Sequence, residues 1–429
     1  MTLTTNKYAR IATLCILYFA QGLPWGFMTT ALISYLASKG LTMAESGILI
    51  AKANLPWTFK LFWGPIIDSF TYQKMGKRRP WIIIAQLGMA ISLISFITIE
   101  NISDNIQLLG WMFFIHNCFA SLQDVSSDAL AVDILKPNEQ GQVNGGMMAS
   151  KVIGVGAGTV IMGTLLTKVG LVFAVSFQII LILMTMIIPI IFIEKPGDKY
   201  FPWSGQNKKN IIKQDNINSP ISIIKSLIIS FSNRASFSLA VFILVGYINM
   251  GINSGILPVY YSQDFGWDPE KYSQIIGGPG TVIQLLAALL GGYLVDKIGR
   301  RKIMILGYGG FSLCCSVFGV IILNLNSIPQ VVQIGWLLIG PALISMGHVA
   351  VYSLGMALSW GKASATMFTT YMAIANLSVV IGSSFIDSLT SNLSIPHIYI
   401  CLGVMGIMPL YILKFSDPKS RLILKGLEE

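Results

Sequence analysis

The sequence predicts an all-α integral membrane protein: twelve transmembrane helices in two pseudo-symmetric six-helix bundles. Three observations point there. Hydrophobic residues make up 54% of the 429 and charged ones 11%, where a soluble domain carries about a quarter charged. The apolar residues gather in runs long enough to cross a bilayer as helices, which takes roughly 20 residues. And two short stretches half a chain apart look like copies of each other. The first is Gly64-Pro65-Ile66-Ile67-Asp68 followed by Gly76-Lys77-Arg78-Arg79; the second is Gly292-Tyr293-Leu294-Val295-Asp296-Lys297-Ile298-Gly299-Arg300-Arg301-Lys302. A hydropathy pattern repeated in this way marks a duplicated membrane unit. Barrel strands would alternate apolar and polar residues over roughly ten positions, and these runs do not.

The spans follow in order. The first run, 10–36, comes after Lys7 and Arg10, the charge order of a secretion signal, but it is too long and is broken by Gln21 and Pro24, so it reads as an uncleaved span. The second, 46–67, ends in the first copy, and the third, 81–99, opens just after it. The fourth, 107–134, carries Gln123, Asp124, Asp128 and Asp133 in its latter half. The fifth, 141–167, contains Gly154, Gly156 and Gly158. With no strand before them and no Lys-Ser/Thr after, these glycines predict close helix packing and not a nucleotide loop. The sixth is 171–193. Residues 194–235 concentrate Pro, Gly, Lys and Asn, as a linker does; within them Ile221 to Ile229 is predicted as a short interfacial helix with Lys225 snorkelling. The seventh, 236–261, holds Tyr247, Asn249 and Asn253. The eighth, 273–296, ends in the second copy and the ninth, 303–324, follows it. The tenth, 331–358, holds His348 and Tyr352; the eleventh, 364–389, holds Tyr371, Asn376 and, near its outer end, Asp387; the twelfth is 396–415. The predicted domains are therefore a bundle at 1–193, a linker at 194–235, a bundle at 236–415 and a tail at 416–429.

The net charge of +10 raises nucleic acid as a partner, and its distribution argues against it. With the N-terminus placed in the cytoplasm, 23 of the 29 Lys and Arg fall on that side, and only Lys39, Lys168 and Lys271 fall outside, as the positive-inside rule expects. Both termini are expected to be cytoplasmic. The basic balance is topology plus attraction to an anionic leaflet. Cys15, Cys118, Cys314, Cys315 and Cys401 all lie in apolar spans with no ligand spacing, so neither disulfides nor a metal site is expected. His116 and His348 read as satisfied polar residues, and no cofactor is implied.

This arrangement resembles the major facilitator superfamily over the whole chain, and the second copy, Gly292 to Lys302, resembles its loop signature closely. The resemblance implies that Asp296, Arg300 and Arg301, with Asp68, Arg78 and Arg79 in the first copy, brace the cytoplasmic gate through charge-assisted bonds. The first copy departs from the common form: seven residues, Ser69 to Met75, separate Asp68 from Gly76, against two in the second. Its flanks read Phe59-Lys60-Leu61-Phe62-Trp63 and Pro80-Trp81; the fourth span carries Gln123-Asp124-Val125-Ser126-Ser127-Asp128-Ala129-Leu130-Ala131-Val132-Asp133, and the first carries Gln21-Gly22-Leu23-Pro24. This set is similar to the branch that holds bacterial muropeptide permeases, acetyl-coenzyme A transporters and certain siderophore importers. For a muropeptide permease the resemblance implies proton-coupled import across the bacterial inner membrane. The superfamily lines its cavity with spans one, four, seven and ten, which makes Gln21, Trp25, Gln123, Tyr247, Asn249 and Tyr352 pocket candidates.

A charge near the bilayer centre costs at least roughly 2.5–3.5 kcal/mol, so the few present need partners or a task. They are Lys52 and Lys60 in span two, Asp124, Asp128 and Asp133 in span four, and Lys151 in span five. At about 1.5 Å per residue, Lys60 and Asp128 share a level roughly 12 Å in, and Asp124 and Lys151 share one roughly 18 Å in, near the midplane. Two cation–carboxylate pairs at two depths are predicted. Asp124 or Asp128 is expected to carry a proton, Lys52 and Lys151 to hold an anionic substrate, and Asp133, within reach of Arg78 or Arg79, to brace the gate with Lys60 and Asp68 nearby. Static ion pairs that fix packing are the competing reading.

The expected function is secondary active transport by alternating access, most specifically proton-coupled import of an anionic solute such as an anhydro-muropeptide. Siderophore or acyl-coenzyme A transport, and a non-transporting receptor, are the alternatives. An enzyme would need a nucleophile, base or metal set on one face, and none is legible. The expected partners are the bilayer, a small anionic substrate and protons, with no nucleic acid; the expected state is a monomer.

Overall fold

The computed structural model describes residues 2–70, 72–98, 105–136, 139–201, 203, 231–359 and 364–416. Among these the regular structure is helical; an isolated parallel bridge joins Thr2 to Ile193. Among the described residues ten helices are long and apolar enough to cross a membrane, and they match ten of the twelve expected spans. They are α1 (Lys7–Ala37), α4 (Arg79–Ile97), α6 (Gln140–Lys168), α7 (Leu171–Ile191), α8 (Arg234–Gln263), α9 (Pro269–Ile298), α10 (Arg300–Asn324), α11 (Gln330–Leu358), α12 (Thr366–Asn392) and α13 (Ile395–Phe415). The other two spans are helical as well. The second is broken into α2 (Met43–Thr58) and α3 (Trp63–Ser69), and the fourth is α5 (Ile106–Ile134), which carries three aspartates. Most of the linker, its predicted interfacial helix at Ile221 to Ile229, and all of the tail past Ser416 lie outside the described residues.

The break in the second span was not expected, and proline explains it. Pro65 has no N–H to offer the carbonyl four residues back, and its ring would press on that carbonyl. The chain therefore leaves α2 after Thr58, makes a 3-10 turn over Lys60–Phe62, and restarts at Trp63, where Pro65 falls in the first turn and its missing donor does no harm. At its other end α2 is closed by a capping box: Thr42 accepts from the Glu45 N–H and Glu45 accepts from the Thr42 N–H.

By its contacts the chain forms two compact units. One comprises Met1–Lys213 and Pro258–Thr281; the other comprises Gln214–Leu257 and Val282–Glu429. In the first unit, α1 and α6 pack at backbone distance. A Cβ on Gly22 would stand 2.3 Å from the Lys151 carbonyl oxygen, and one on Gly154 would stand 2.4 Å from that of Phe19. No side chain fits there, so the glycines of the fifth span serve helix packing as expected. In the second unit α8 and α12 repeat the arrangement: a Cβ on Gly251 would lie 2.3 Å from the Val379 oxygen, and one on Gly382 would lie 2.2 Å from that of Ile248. The first and fifth spans of one half and the seventh and eleventh of the other thus use the same device, as an internal duplication requires.

Candidate functional site

The α1–α6 crossing positions the site in the first unit. With Gly22 seated on the Lys151 carbonyl, the Lys151 side chain is carried across α1 toward Tyr18, one helical turn away. Its ammonium lies 5.8 Å from the Tyr18 ring centroid and 4.7 Å from that of Trp57 on α2. It also stands 3.6 Å from Asp124 Oδ1 on α5, and Lys60 Nζ donates to Asp124 Oδ2 at 3.3 Å. Asp124 is buried and holds both cations. Asp128, one turn further along α5, is exposed; Tyr18 Oη donates to its Oδ1. Among the described residues no cation lies within ion-pair distance of Asp128.

This corrects the expected pairing of Lys60 with Asp128. The depth count assumed an unbroken helix, and the 3-10 turn at Lys60 rises about 2.0 Å per residue where an α-helix rises about 1.5 Å. The lysine stem then carries the ammonium further to Asp124. Lys60 therefore joins Lys151 on Asp124 in the charged cluster. Lys52 also departs from expectation. Its stem fills the space a Cβ on Gly110 would take, 2.5 Å from Lys52 Cδ, and its ammonium donates to Gln107 at the first turn of α5, to the carbonyl at 3.2 Å and to Oε1 at 2.7 Å. It rests 4.7 Å from the Trp111 ring. It reaches the start of α5, away from Asp124, because a long side chain lowers its cost by extending toward a helix end.

The remaining first-unit candidates are near-buried polar groups. Gln21, 1% exposed, has neither end of its amide bonded among the described residues, an expensive state that leaves it able to bond a ligand. Gln123 donates to the Leu17 carbonyl at 3.0 Å and holds α5 to α1. Trp25 meets Trp57 edge-on at 5.8 Å between centroids. Sequence reasoning missed Tyr18, Trp57 and Asn117, which orients Trp57 by accepting its Nε1–H at 3.0 Å. Tyr18, Gln21 and Trp25 recur at three and four residues along α1, a spacing that would have drawn Tyr18 into the set.

In the second unit Tyr247 stacks on His348 at 4.9 Å, and Tyr352 stacks on the same imidazole at 5.8 Å. Asn249, a pocket candidate from the sequence, has its amide committed to a helix contact. It donates to the Leu402 carbonyl at 2.8 Å, in space that Gly406 leaves open, because an amide inside an apolar helix contact must find a partner.

The loop motif of the first copy is a closed network. Arg78 donates to Asp133 at 2.8 Å and to Asp68 at 2.6 Å, and Lys77 approaches Asp68 at 3.5 Å. Among the described residues Arg79 makes no such pair. Its guanidinium caps the last carbonyls of α7, Pro189 at 2.7 Å and Ile190 at 3.1 Å, where the helix end is negative. Glu194, just past α7, caps α4 in return, accepting from the N–H groups of Lys77, Arg78 and Arg79 at 2.8, 2.6 and 2.6 Å. Burial pushes the Glu194 carboxyl up, and these donors draw it back in part. A second buried pair joins Arg10 to Glu139 at 2.7 Å; that bond is the largest cause holding the Glu139 carboxyl below its usual range. The second copy differs from expectation. Arg300 donates to Ser353 at 2.8 Å, while Asp296 and Arg301 are exposed and, among the described residues, form no ion pair. Asp296 lies in the last turn of α9 and Arg301 in the first turn of α10, and between two exposed groups a fixed pair would gain little.

The chain has relatives of known or assigned type. It is 24% identical over 306 residues to the putative transporter AmpG 4 of Rickettsia felis, covering 70% of this chain and 71% of that protein. It is 28% identical over 145 residues to the anhydromuropeptide permease of Escherichia coli K12, covering 32% of this chain and 29% of that one. Among solved structures the nucleoside transporter NupG matches with a TM-score of 0.72 at 11% identity, covering 95% of this chain and all of that one. A D-xylose–proton symporter matches with 0.68 at 16% identity, covering 96% and 98%. At such identities these two structures bear on the fold alone. The family model of the Major Facilitator Superfamily matches residues 14–247 and 239–428, and with the helical fold and its solved neighbours this establishes the protein as a multi-pass membrane transporter belonging to that superfamily.

Proposed function

We propose that this transporter imports an anionic solute of the anhydro-muropeptide kind together with a proton, across a bacterial inner membrane, with both termini in the cytoplasm. The observation that carries the reading is the four-group cluster of Lys60, Lys151, Asp124 and Asp128. With both aspartates ionised the cluster is neutral. Asp124 is balanced by two ammonium groups; Asp128 is accessible and touches only a neutral phenol among its bonded partners. The proton is therefore assigned to Asp128. Its arrival leaves the cluster with one positive charge in a low-dielectric setting, which favours an anion on Lys151; its departure restores neutrality and releases the anion. One proton and one negative charge thus travel together. The relatives named above support the solute class, and the lysine–arginine asymmetry supports the orientation. Direct uptake tests it. Proteoliposomes with an acidic exterior are expected to concentrate radiolabelled anhydro-muropeptide and to leave a ferric siderophore outside. Accumulation that ignores the pH gradient, or that favours the siderophore, overturns the reading.

A further inference from the structure

We infer that Trp57, oriented by Asn117, is a second seat for the Lys151 ammonium and so a positioning residue for anion transport. The inference rests on the assignment of Lys151 to the substrate's anionic group. Lys60 and Lys151 share one carboxylate but differ in their hold on it. Lys60 is 3.3 Å from Asp124 with its side chain 14% exposed; Lys151 is 3.6 Å away with its side chain 28% exposed. Lys151 also lies over the Trp57 ring, 4.7 Å from the centroid. It is the cation free to change partners, and the indole is the partner that never changes its charge.

The indole is held for that task. Trp57 is 7% exposed, and its Nε1 donates to Asn117 Oδ1 at 3.0 Å. Asn117 is itself fixed, because its Nδ2 donates to the Phe113 carbonyl one turn back on α5 at 2.8 Å. Trp25 closes on the ring edge-on, with planes 86° apart. The face presented to Lys151 therefore cannot rotate away. When an arriving carboxylate draws Lys151 from Asp124, the ring keeps the ammonium in register. A π face attracts a cation without competing for the substrate's negative charge.

The test is counterflow in proteoliposomes with two probes, anhydro-muropeptide with free carboxylates and its methyl ester. Trp57→Leu is expected to raise the half-saturation concentration of the acid roughly 5- to 30-fold, the equivalent of about 1–2 kcal/mol, with less than about a twofold change for the ester and little change in maximal rate. Trp57→Phe keeps an aromatic face and nearly all the packing, and is expected to restore most of the acid's affinity. Asn117→Leu frees the indole and should show the same selectivity at smaller size. Equal losses for acid and ester, or Phe no better than Leu, would mean that Trp57 only fills space. Lys151→Met is run beside them. If it too fails to separate acid from ester, the assignment of the anion to Lys151 is wrong; if it separates them and Trp57→Leu does not, only the present inference falls.

Discussion

Replacing Asp128 by asparagine keeps the shape of the side chain and an acceptor for the Tyr18 hydroxyl while removing the charge that can be titrated. The size of the effect follows from the cluster. Asp128 stands one helical turn, roughly 6 Å, from Asp124, and Lys151 stands 3.6 Å from Asp124. An anion docked on Lys151 then lies roughly 8 Å from Asp128, where at an effective dielectric constant of about 20 two unit charges interact by about 2 kcal/mol. That is roughly 30-fold in affinity. In the wild type the half-saturation concentration for the anion should rise by about that factor as pH increases through the titration of Asp128. In Asp128→Asn it should stay at the low value at every pH. Counterflow, which needs no net proton movement, is expected to survive; accumulation driven by a pH gradient is expected to vanish. Asp124→Asn is a different lesion: it strands two ammonium groups, and loss of folded protein and of both transport modes is expected, since breaking a buried pair costs on the order of 3–5 kcal/mol. An Asp128→Asn variant that still concentrates substrate on a pH gradient, or that keeps the wild-type pH slope in counterflow, would refute the assignment of the proton to Asp128.

Three further outcomes are expected. Cysteines placed at Asp268 and Asn326 should react with an impermeant thiol reagent from outside intact cells and one placed at Lys77 should not; the reverse pattern would invert the proposed topology. Glu194→Ala leaves the N–H groups of Lys77, Arg78 and Arg79 without their acceptor, and a loss of about 2–3 kcal/mol in thermal unfolding of the solubilised protein is expected. Glu194→Gln, which keeps one acceptor oxygen and removes a charge that burial disfavours, should cost about half of that; no loss in either would show the cap to be idle. The Glu139 carboxyl is held below its usual range by Arg10, so its contribution is present above the unfolded value, about 4.3, and is lost as pH falls through the folded one. Wild type should then lose more stability on acidification than Glu139→Gln, and parallel pH profiles would count against the pair.

Much of the fold is legible in the chain because the bilayer imposes it. Backbone groups in hydrocarbon must bond within their own segment, so an apolar run of the right length becomes a helix whatever surrounds it. That is why ten spans coincide with their apolar runs, and why Gly154, Gly156 and Gly158 announce close helix packing from the sequence, while the α1 partner Gly22 is identified only by the structure. The loop network around Arg78 was legible for a similar reason: Asp68, Arg78 and Asp133 sit at helix ends with few other partners in reach.

The membrane class, the twelve spans, the duplication and the short roll of buried charges are properties of the sequence alone, since each follows from composition, period or repetition along one dimension. Which charge meets which was decided only by the tertiary structure. Lys60 reaches Asp124 because Pro65 breaks its span and changes the rise that a count of residues assumes. Lys52 turns to Gln107, Asn249 to Leu402 and Arg79 to the end of α7, each because a long or polar side chain takes the partner that lies within a few ångströms in space. Tyr18 enters the site because two glycines let α1 and α6 touch, and Trp57 because α2, bonded to Asn117 of α5, carries its ring to Lys151. Ion pairs fall off with distance and depend on the angle of approach, and a sequence records neither until its helices are packed.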